Sequence, residues 1–278
     1  MGVAGYGGLR AKVGKSFLLL FSFRKDKIFG LLFRGANKLI WRLEVHAQLP
    51  STADLCRERA EAGEAEGLAI LALRQSAGRG TRGREWADGA GNLALSLLLR
   101  PAGMADLGGW GLLAGVAVAE ALEGFCRGTR LGLKWPNDVL LGGRKLAGIL
   151  TEGATTPRGE TWLTCGIGAN LAQAPVVAGR EVACLAEFGP PPAPRAVAEA
   201  VLQTFARWRK TFESEGFAPV REGFLARAPA SGTAMTLRHG AGTVEGRFAG
   251  LDERGALLLQ TDDGLRGFVA GEVTSATA

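Results

Sequence analysis

From Trp41 onward, hydrophobic and polar positions fall into a regular rhythm. Trp41 to Gln48 reads as a strand, and Ser51 opens a helix through Ala62 that Gly63 ends, with Asp54 in capping-box-like spacing. Leu68 to Arg74 is a further apolar strand. Asn92 to Leu99 alternates, with Leu93, Leu95, Leu97 and Leu99 on one side and Ala94, Ser96 and Leu98 on the other, as a well-buried strand does. Leu107 to Phe125 changes to a helical period through Trp110, Leu113, Ala117 and Ala121, and its many small residues suit close packing on a sheet. Arg130 to Lys134 is a short strand broken by Trp135-Pro136, and Asp138 to Leu141 pairs with Arg144 to Leu150 through the Gly142-Gly143 turn. Thr161 to Asn170 is another buried strand, and Arg195 to Phe212 is an amphipathic helix with Val197, Val201, Phe205, Trp208 and Phe212 on one stripe.

From Gly232 the pattern shortens. Ala234 to Arg238, Gly242 to Gly250, Ala256 to Thr261 and Leu265 to Ala270 read as short strands between turns, a small barrel beyond a boundary near Pro229. At 278 residues with 47% hydrophobic side chains, the chain can bury one large core with a small unit beside it.

Residues 1–40 stand apart. The apolar run Ser16 to Phe23 is much shorter than the ~20 residues of a membrane-spanning helix, and Arg24-Lys25-Asp26-Lys27 interrupts it. A signal peptide or a basic membrane-adsorbing segment is conceivable there, but the reading adopted is a poorly ordered extension. This region also decides what the formal charge of +6 means. Residues 1–42 hold nine Lys and Arg against Asp26, leaving 24 basic and 26 acidic side chains in the rest. The body is therefore slightly acidic, which argues against a nucleic-acid partner. Four scattered cysteines, at 56, 126, 165 and 184, and only His46 and His239 offer no zinc site of usual spacing, and free thiols suit a reducing cytoplasm.

Candidate chemistry gathers between the strands at 68–74 and 92–99. Gly78, Gly80 and Gly83 let backbone amides approach an anion, Arg79, Arg82 and Arg84 supply forked donors, and Trp86 adds a flat face. Taken alone, the loop could be a phosphate cradle, a solvated basic turn or an arginine-glycine nucleic-acid contact. A second stretch, Lys134-Trp135-Pro136-Asn137-Asp138, lies downstream, followed by VLLGGRKLAGILTEG. Together the two stretches resemble the biotin protein ligase family, whose pattern is a GRGRxGRxW loop and then KWPND. Gly166-Ile167-Gly168-Ala169-Asn170 resembles that family's GIGxN segment.

The resemblance covers residues 41–276 and implies an α+β fold. Its mixed central sheet with flanking helices is related to class II aminoacyl-tRNA synthetases and is followed by a small C-terminal SH3-like barrel. The domains would be an extension at 1–40, a catalytic domain at 41–228 and the small domain at 229–278. The implied activity joins biotin and ATP into biotinyl-5'-AMP and transfers biotin to a lysine of a biotin carboxyl carrier protein, with magnesium. For biotin the resemblance implies Ser51, Thr52, the position of Ala53, Gln75, Arg79, Gly80, Thr81, Lys134, Gly148, Gly166 and Gly168. For ATP and the adenylate it implies Gly78, Arg79, Gly80, Arg82, Gly83, Arg84, Trp86, Asn137 and Asn170. Lys134, Arg79, Arg84 and Asp138 would act in catalysis, Asp138 as a magnesium ligand or as a base toward the acceptor lysine. Ala53 stands where the family has Asn, and Thr81 where it has Arg.

The implied protein is cytoplasmic, binds no nucleic acid or membrane, and leaves a homodimer open. The nearest rival of the same fold is a lipoate or octanoate ligase, although the RRxSGGG stretch and nearby histidine of those enzymes do not occur here. A rival of another class is a non-catalytic biotin sensor or DNA-binding repressor.

Overall fold

The computed structural model describes residues 17–24, 27–34, 40–87, 89–102, 107–156, 159–176, 179 and 181–275. Nine strands make the main sheet: β1 (Phe17–Arg24), β2 (Lys27–Arg34), β3 (Ile40–His46), β4 (Leu68–Ala72), β5 (Leu93–Leu99), β6 (Gly132–Lys134), β7 (Asp138–Leu141), β8 (Arg144–Thr155) and β9 (Thr161–Ala169). Their order is β1-β2-β3-β4-β5-β9-β8-β7-β6. Only β3 and β4 run parallel, because helix α1 (Thr52–Glu61) carries the chain across between them. All other neighbours are antiparallel, so the sheet is mixed as expected. The extension read as poorly ordered contributes β1 and β2 at one edge of this sheet, while residues 1–16 lie outside the described residues.

The alternation along β4 and β5 sorts side chains between two faces. Ala69, Leu71, Leu93, Leu95, Leu97 and Leu99 join the large core, whereas Leu68, Ile70 and Leu98 face the other way with Cys56 and Ala60 of α1. The large core lies under α2 (Leu107–Glu123), α3 (Pro194–Glu215) and α4 (Ala218–Leu225). Helix α2 is buried almost all round, as an apolar helix between a sheet and other helices must be. The Trp41 indole on β3 donates to the Leu202 carbonyl at 3.1 Å and ties α3 to the sheet. Sequence patterning missed α4, whose eight residues are too short for a clear period. No helix among the described residues is long and apolar enough to cross a membrane.

The small unit is an antiparallel sheet of five strands: β10 (Ala234–His239), β11 (Gly242–Leu251), β12 (Leu257–Thr261), β13 (Gly264–Phe268) and β14 (Glu272–Ser275), in the order β13-β12-β11-β10-β14. This is the SH3-like arrangement expected, with β14 added to the four strands read from the pattern. Its apolar side chains, among them Met235, Leu237, Phe248 and Leu257, belong to the same core as the main sheet. Trp135 Nε1 donates to the Gly255 carbonyl at 3.1 Å, and a Cβ at Gly255 would stand 2.6 Å from Leu112 Cδ1.

Candidate active site

Short bridges bring the start of α1 and the entrance of the glycine-arginine loop side by side. Leu49 pairs in parallel with Gln75, and the amides of Ser76 and Ala77 donate to the carbonyls of Leu49 and Pro50. Gln75 is thereby placed where Thr52 reaches it, through the Thr52 amide at 2.7 Å and its hydroxyl at 3.1 Å, both donating to Gln75 Oε1. Ser96 Oγ on β5 donates to Thr52 Oγ1 at 2.9 Å. Ser51 Oγ caps α1 by accepting from the Asp54 amide at 3.3 Å. Ser51, Thr52, Ala53 and Ser96 are buried. The result is a dry pocket end rich in donors and acceptors.

Glycines make its floor. Gly148 on β8 pairs with Gly168 on β9, and Leu150 with Gly166. A Cβ at Gly168 would meet the Trp86 ring at 2.3 to 2.7 Å, and one at Gly148 would meet it at 3.1 Å. Only bare backbone lets the indole lie there. The Trp86 Nε1 and the Asn170 Oδ1 are buried without a protein partner. Two such atoms around one space are what a polar ligand satisfies.

The loop is a small hairpin. Gly80 N donates to Arg84 O at 2.7 Å, Trp86 N to Gly78 O at 2.9 Å, and Arg79 bridges Glu85. Gly78 allows this closeness, since a Cβ there would sit 2.7 Å from the Trp86 carbonyl oxygen. Thr81, Arg82 and Gly83 form the tip as a 3₁₀ turn, with Arg82 (φ 59°) and Gly83 (φ 71°) both left-handed. The Arg79 guanidinium lies against both Glu152 oxygens, at 3.0 and 2.5 Å, with Nε 2.9 Å from Asp54 Oδ1. The Glu152 hydrogen bonds raise the Arg79 pKa above its ordinary value in spite of burial. Arg84 and Arg82 contact the two oxygens of Glu272 on β14, at 2.6 and 3.1 Å.

Beyond β6, the turn Trp135-Pro136-Asn137, with a cis Trp135–Pro136 bond, sets Lys134 directly opposite Asp138. Asp138 Oδ2 lies 3.1 Å from Lys134 Nζ and its Oδ1 2.5 Å from Lys145 Nζ. Burial would raise the Asp138 pKa, but Lys145 and Lys134 outweigh it and hold the carboxyl below its usual value. Asp138 was expected as a magnesium ligand, yet both its oxygens face ammonium groups, a donor set that does not suit a resident divalent cation. Among the described residues, no group of three or more His, Cys, Asp or Glu is placed to hold a metal. Asn137 spends its amide nitrogen on the Ile149 carbonyl at 2.7 Å, and Asn170 donates to the Ala183 carbonyl at 3.0 Å.

The structure brings most of the expected biotin residues to one cavity, lined by Ser51, Thr52, Ala53, Gln75, Arg79, Gly80, Thr81, Gly148, Gly166 and Gly168. Trp86 and Asn137 join them, and so does Lys145, which the sequence reading left out. Lys134 lines a different cavity, with Arg82, Arg84, Asp138 and residues Val269–Val273 of the small unit. A third cavity holds Gly80, Thr81, Arg84, Trp86, Lys145 and Asn170. Lys145 is thus the ammonium shared by the first and third spaces.

A bulge explains why it was missed. Val139 pairs with Ala147 but Leu140 with Lys145, so Leu146 is the extra residue and Lys145 lands on the face of Asp138. Simple alternation from Gly148 would turn Lys145 toward the core. Asp54, Ser96, Glu152 and Glu272 were missed as well. Only Ser96, a polar residue in an apolar strand, carried a visible signal.

The Biotin/lipoate A/B protein ligase family model matches residues 45–170, and that for the Biotin protein ligase C terminal domain matches residues 231–274. A biotin--[acetyl-CoA-carboxylase] ligase of Paracoccus denitrificans is 41% identical over 212 residues, covering 73% of this chain and 88% of its own. The bifunctional ligase/repressor BirA of Bacillus subtilis is 32% identical over 235 residues, covering 82% and 72%. A biotin protein ligase from Aquifex aeolicus, solved with biotin and ATP, superposes with a TM-score of 0.73 at 29% identity, over 85% of this chain and 99% of that one. The chain belongs to the biotin protein ligase family.

Proposed function

We propose that this chain is an ATP-dependent ligase that activates biotin as biotinyl-5'-AMP and transfers it to a lysine of a biotin carboxyl carrier domain. One observation carries the reading: a single glycine-floored cavity holds the Ser51, Thr52 and Gln75 array together with the Lys145 ammonium. Biotin is a cyclic urea with a carboxylate tail. Its ring carbonyl needs donors and its N–H groups need acceptors in a dry pocket, and its carboxylate needs a cation. The dithiolane ring of lipoate makes no such hydrogen bonds and would draw nothing from this polar array.

A carboxylate is a poor acyl donor because oxide would have to leave. In the first step a biotin carboxylate oxygen bonds to the α-phosphorus of ATP and pyrophosphate departs. In the second the acceptor amine bonds to the acyl carbon and loses a proton as AMP leaves. Negative charge crowds together in the first step, and an ammonium at the junction of two cavities lowers that repulsion. Lys145 suits this part, and Asp138, whose other oxygen pairs with Lys134, is the carboxylate that holds it. Arg84 and Trp86, with the hairpin backbone, wall the adenylate side and exclude water from an anhydride that hydrolyses readily. Magnesium enters as the counter-ion of the ATP phosphates. The free thiols of Cys56, Cys126, Cys165 and Cys184 support the cytoplasm as location.

The test is transfer of labelled biotin, with Mg-ATP, onto a purified biotin carboxyl carrier domain, with lipoate run alongside. Labelled carrier and pyrophosphate release are expected with biotin. Transfer with lipoate alone would move the chain to the sister activity, and silence with both would overturn the reading.

A further inference from the structure

Arg79 stands at the head of a loop shaped for anions, yet its guanidinium is committed elsewhere. Glu152 on β8 takes it edge-on through two parallel hydrogen bonds, and Asp54, in the first turn of α1, lies at its Nε. Asp54 is itself steadied by Arg57 at 3.1 Å. Glu152 takes one N–H from each terminal nitrogen, and Asp54 stands beside Nε as a second counter-charge without an aligned hydrogen bond, so the guanidinium faces carboxylates on two sides. Among the described residues, the carboxylate that Arg82 and Arg84 meet is Glu272 of the small unit.

The hairpin is therefore tied at two places for different ends. Its stem, Gly78 to Gly80, is fastened to β8 and α1, the two elements that supply Gly148 and the Ser51-Thr52-Ala53 corner of the biotin cavity. Its far limb, Arg84 to Trp86, is held separately, through Arg84 to Glu272 of β14 and through the Trp86 indole against Gly148 and Gly168. We infer that Glu152 and Asp54 are positioning residues that act through Arg79, fixing the loop stem against the biotin cavity before any ligand arrives. This assigns to Arg79 a latching part in place of direct contact with the adenylate. The kinetic consequence rests on the biotin ligase reading; the structural one does not.

Both can be measured on the full chain. Glu152→Gln keeps the size of the side chain and removes its charge, and Asp54→Asn does the same for the second carboxylate. The loop carries three trypsin sites, so its anchoring is read as the cleavage rate after Arg79, Arg82 and Arg84 in ligand-free protein. For Glu152→Gln, cleavage should rise about tenfold, the low end for a charge-assisted hydrogen-bonded pair that is partly exposed. The KM for biotin should rise by a similar factor while kcat at saturating biotin changes less than about twofold, because only preorganisation is lost. The melting temperature should fall by no more than a few degrees.

A double-mutant cycle with Arg79→Lys separates action through Arg79 from an independent role. The combined effect should fall well short of the product of the single effects. Wild-type cleavage and KM in Glu152→Gln would overturn the inference, as would fully multiplicative effects in the cycle. If the wild-type protein fails to transfer biotin, the functional reading falls and the cleavage rates still decide the latch.

Discussion

Arg84 of the loop and Glu272 of β14, 188 positions apart in the chain, meet through a 2.6 Å contact between guanidinium and carboxylate. The small C-terminal unit thus holds the far limb of the hairpin that covers the candidate active site. Replacing Glu272 by Gln should loosen this hold. The pair is partly exposed, so the expected effect is modest, about a fivefold faster loss of labelled biotinyl-AMP from the protein. An unchanged release rate would show that the contact does not retain the adenylate.

Lys145 and Lys134 flank the same carboxylate but open on different cavities. Lys145→Ala is expected to lower the biotin-dependent exchange of pyrophosphate into ATP by about 10²-fold or more, the usual loss when a charge-stabilising donor is removed. Lys134→Ala should cost clearly less. Equal losses, or a greater loss in Lys134→Ala, would return the principal role to Lys134.

Gly168 has no room for a side chain. A methyl group there would stand within 2.7 Å of three indole atoms, so Gly168→Ala must move Trp86 or bend β9. Destabilisation of about 1–3 kcal/mol is expected from such overpacking. Calorimetry and biotin titration together check this, since displacement of Trp86 alone would weaken binding with little change in melting temperature.

Asp138 gives the acid limb of stability a recognisable owner. Its pKa is depressed when folded, so its contribution is present above the unfolded value, about 3.9, and is lost as pH falls through the lower folded value. Asp138→Asn should therefore melt lower than wild type at pH 7, where two ammonium groups lose their counter-charge. The gap should close as the pH drops below about 4. A gap that persists unchanged at low pH would assign the loss to packing instead of charge.

Strand and helix positions were legible where a short run is apolar throughout, as in β5, or where an apolar stripe recurs at helical spacing, as in α3. The same pattern failed for α4, which is too short, and for β14, where only Glu272 to Ser275 pair. Motif likeness pointed to the glycines of β8 and β9 and to Ser51 and Thr52 at the start of α1, which hold fixed spacing on regular elements, and to Gln75 in a bridge beyond β4. Lys145 escaped it because a bulge reverses the face on which alternation places it. Glu152 and Glu272 escaped for another reason: a carboxylate in a strand looks solvated until its guanidinium partner, 73 or 188 residues away, is known.

The contact between Trp135 and Gly255 bears on how such a chain can be cut and rejoined. The turn that presents Lys134 and Asp138 is closed on its outer side by a left-handed glycine of the small unit, wedged against Leu112. A junction near residue 229 would look like a natural seam for exchanging that unit with one from a relative. The graft would fit only if it carried a turn shaped for this indole and this leucine. The small unit is half of a joint, and the other half is the floor under the reacting groups.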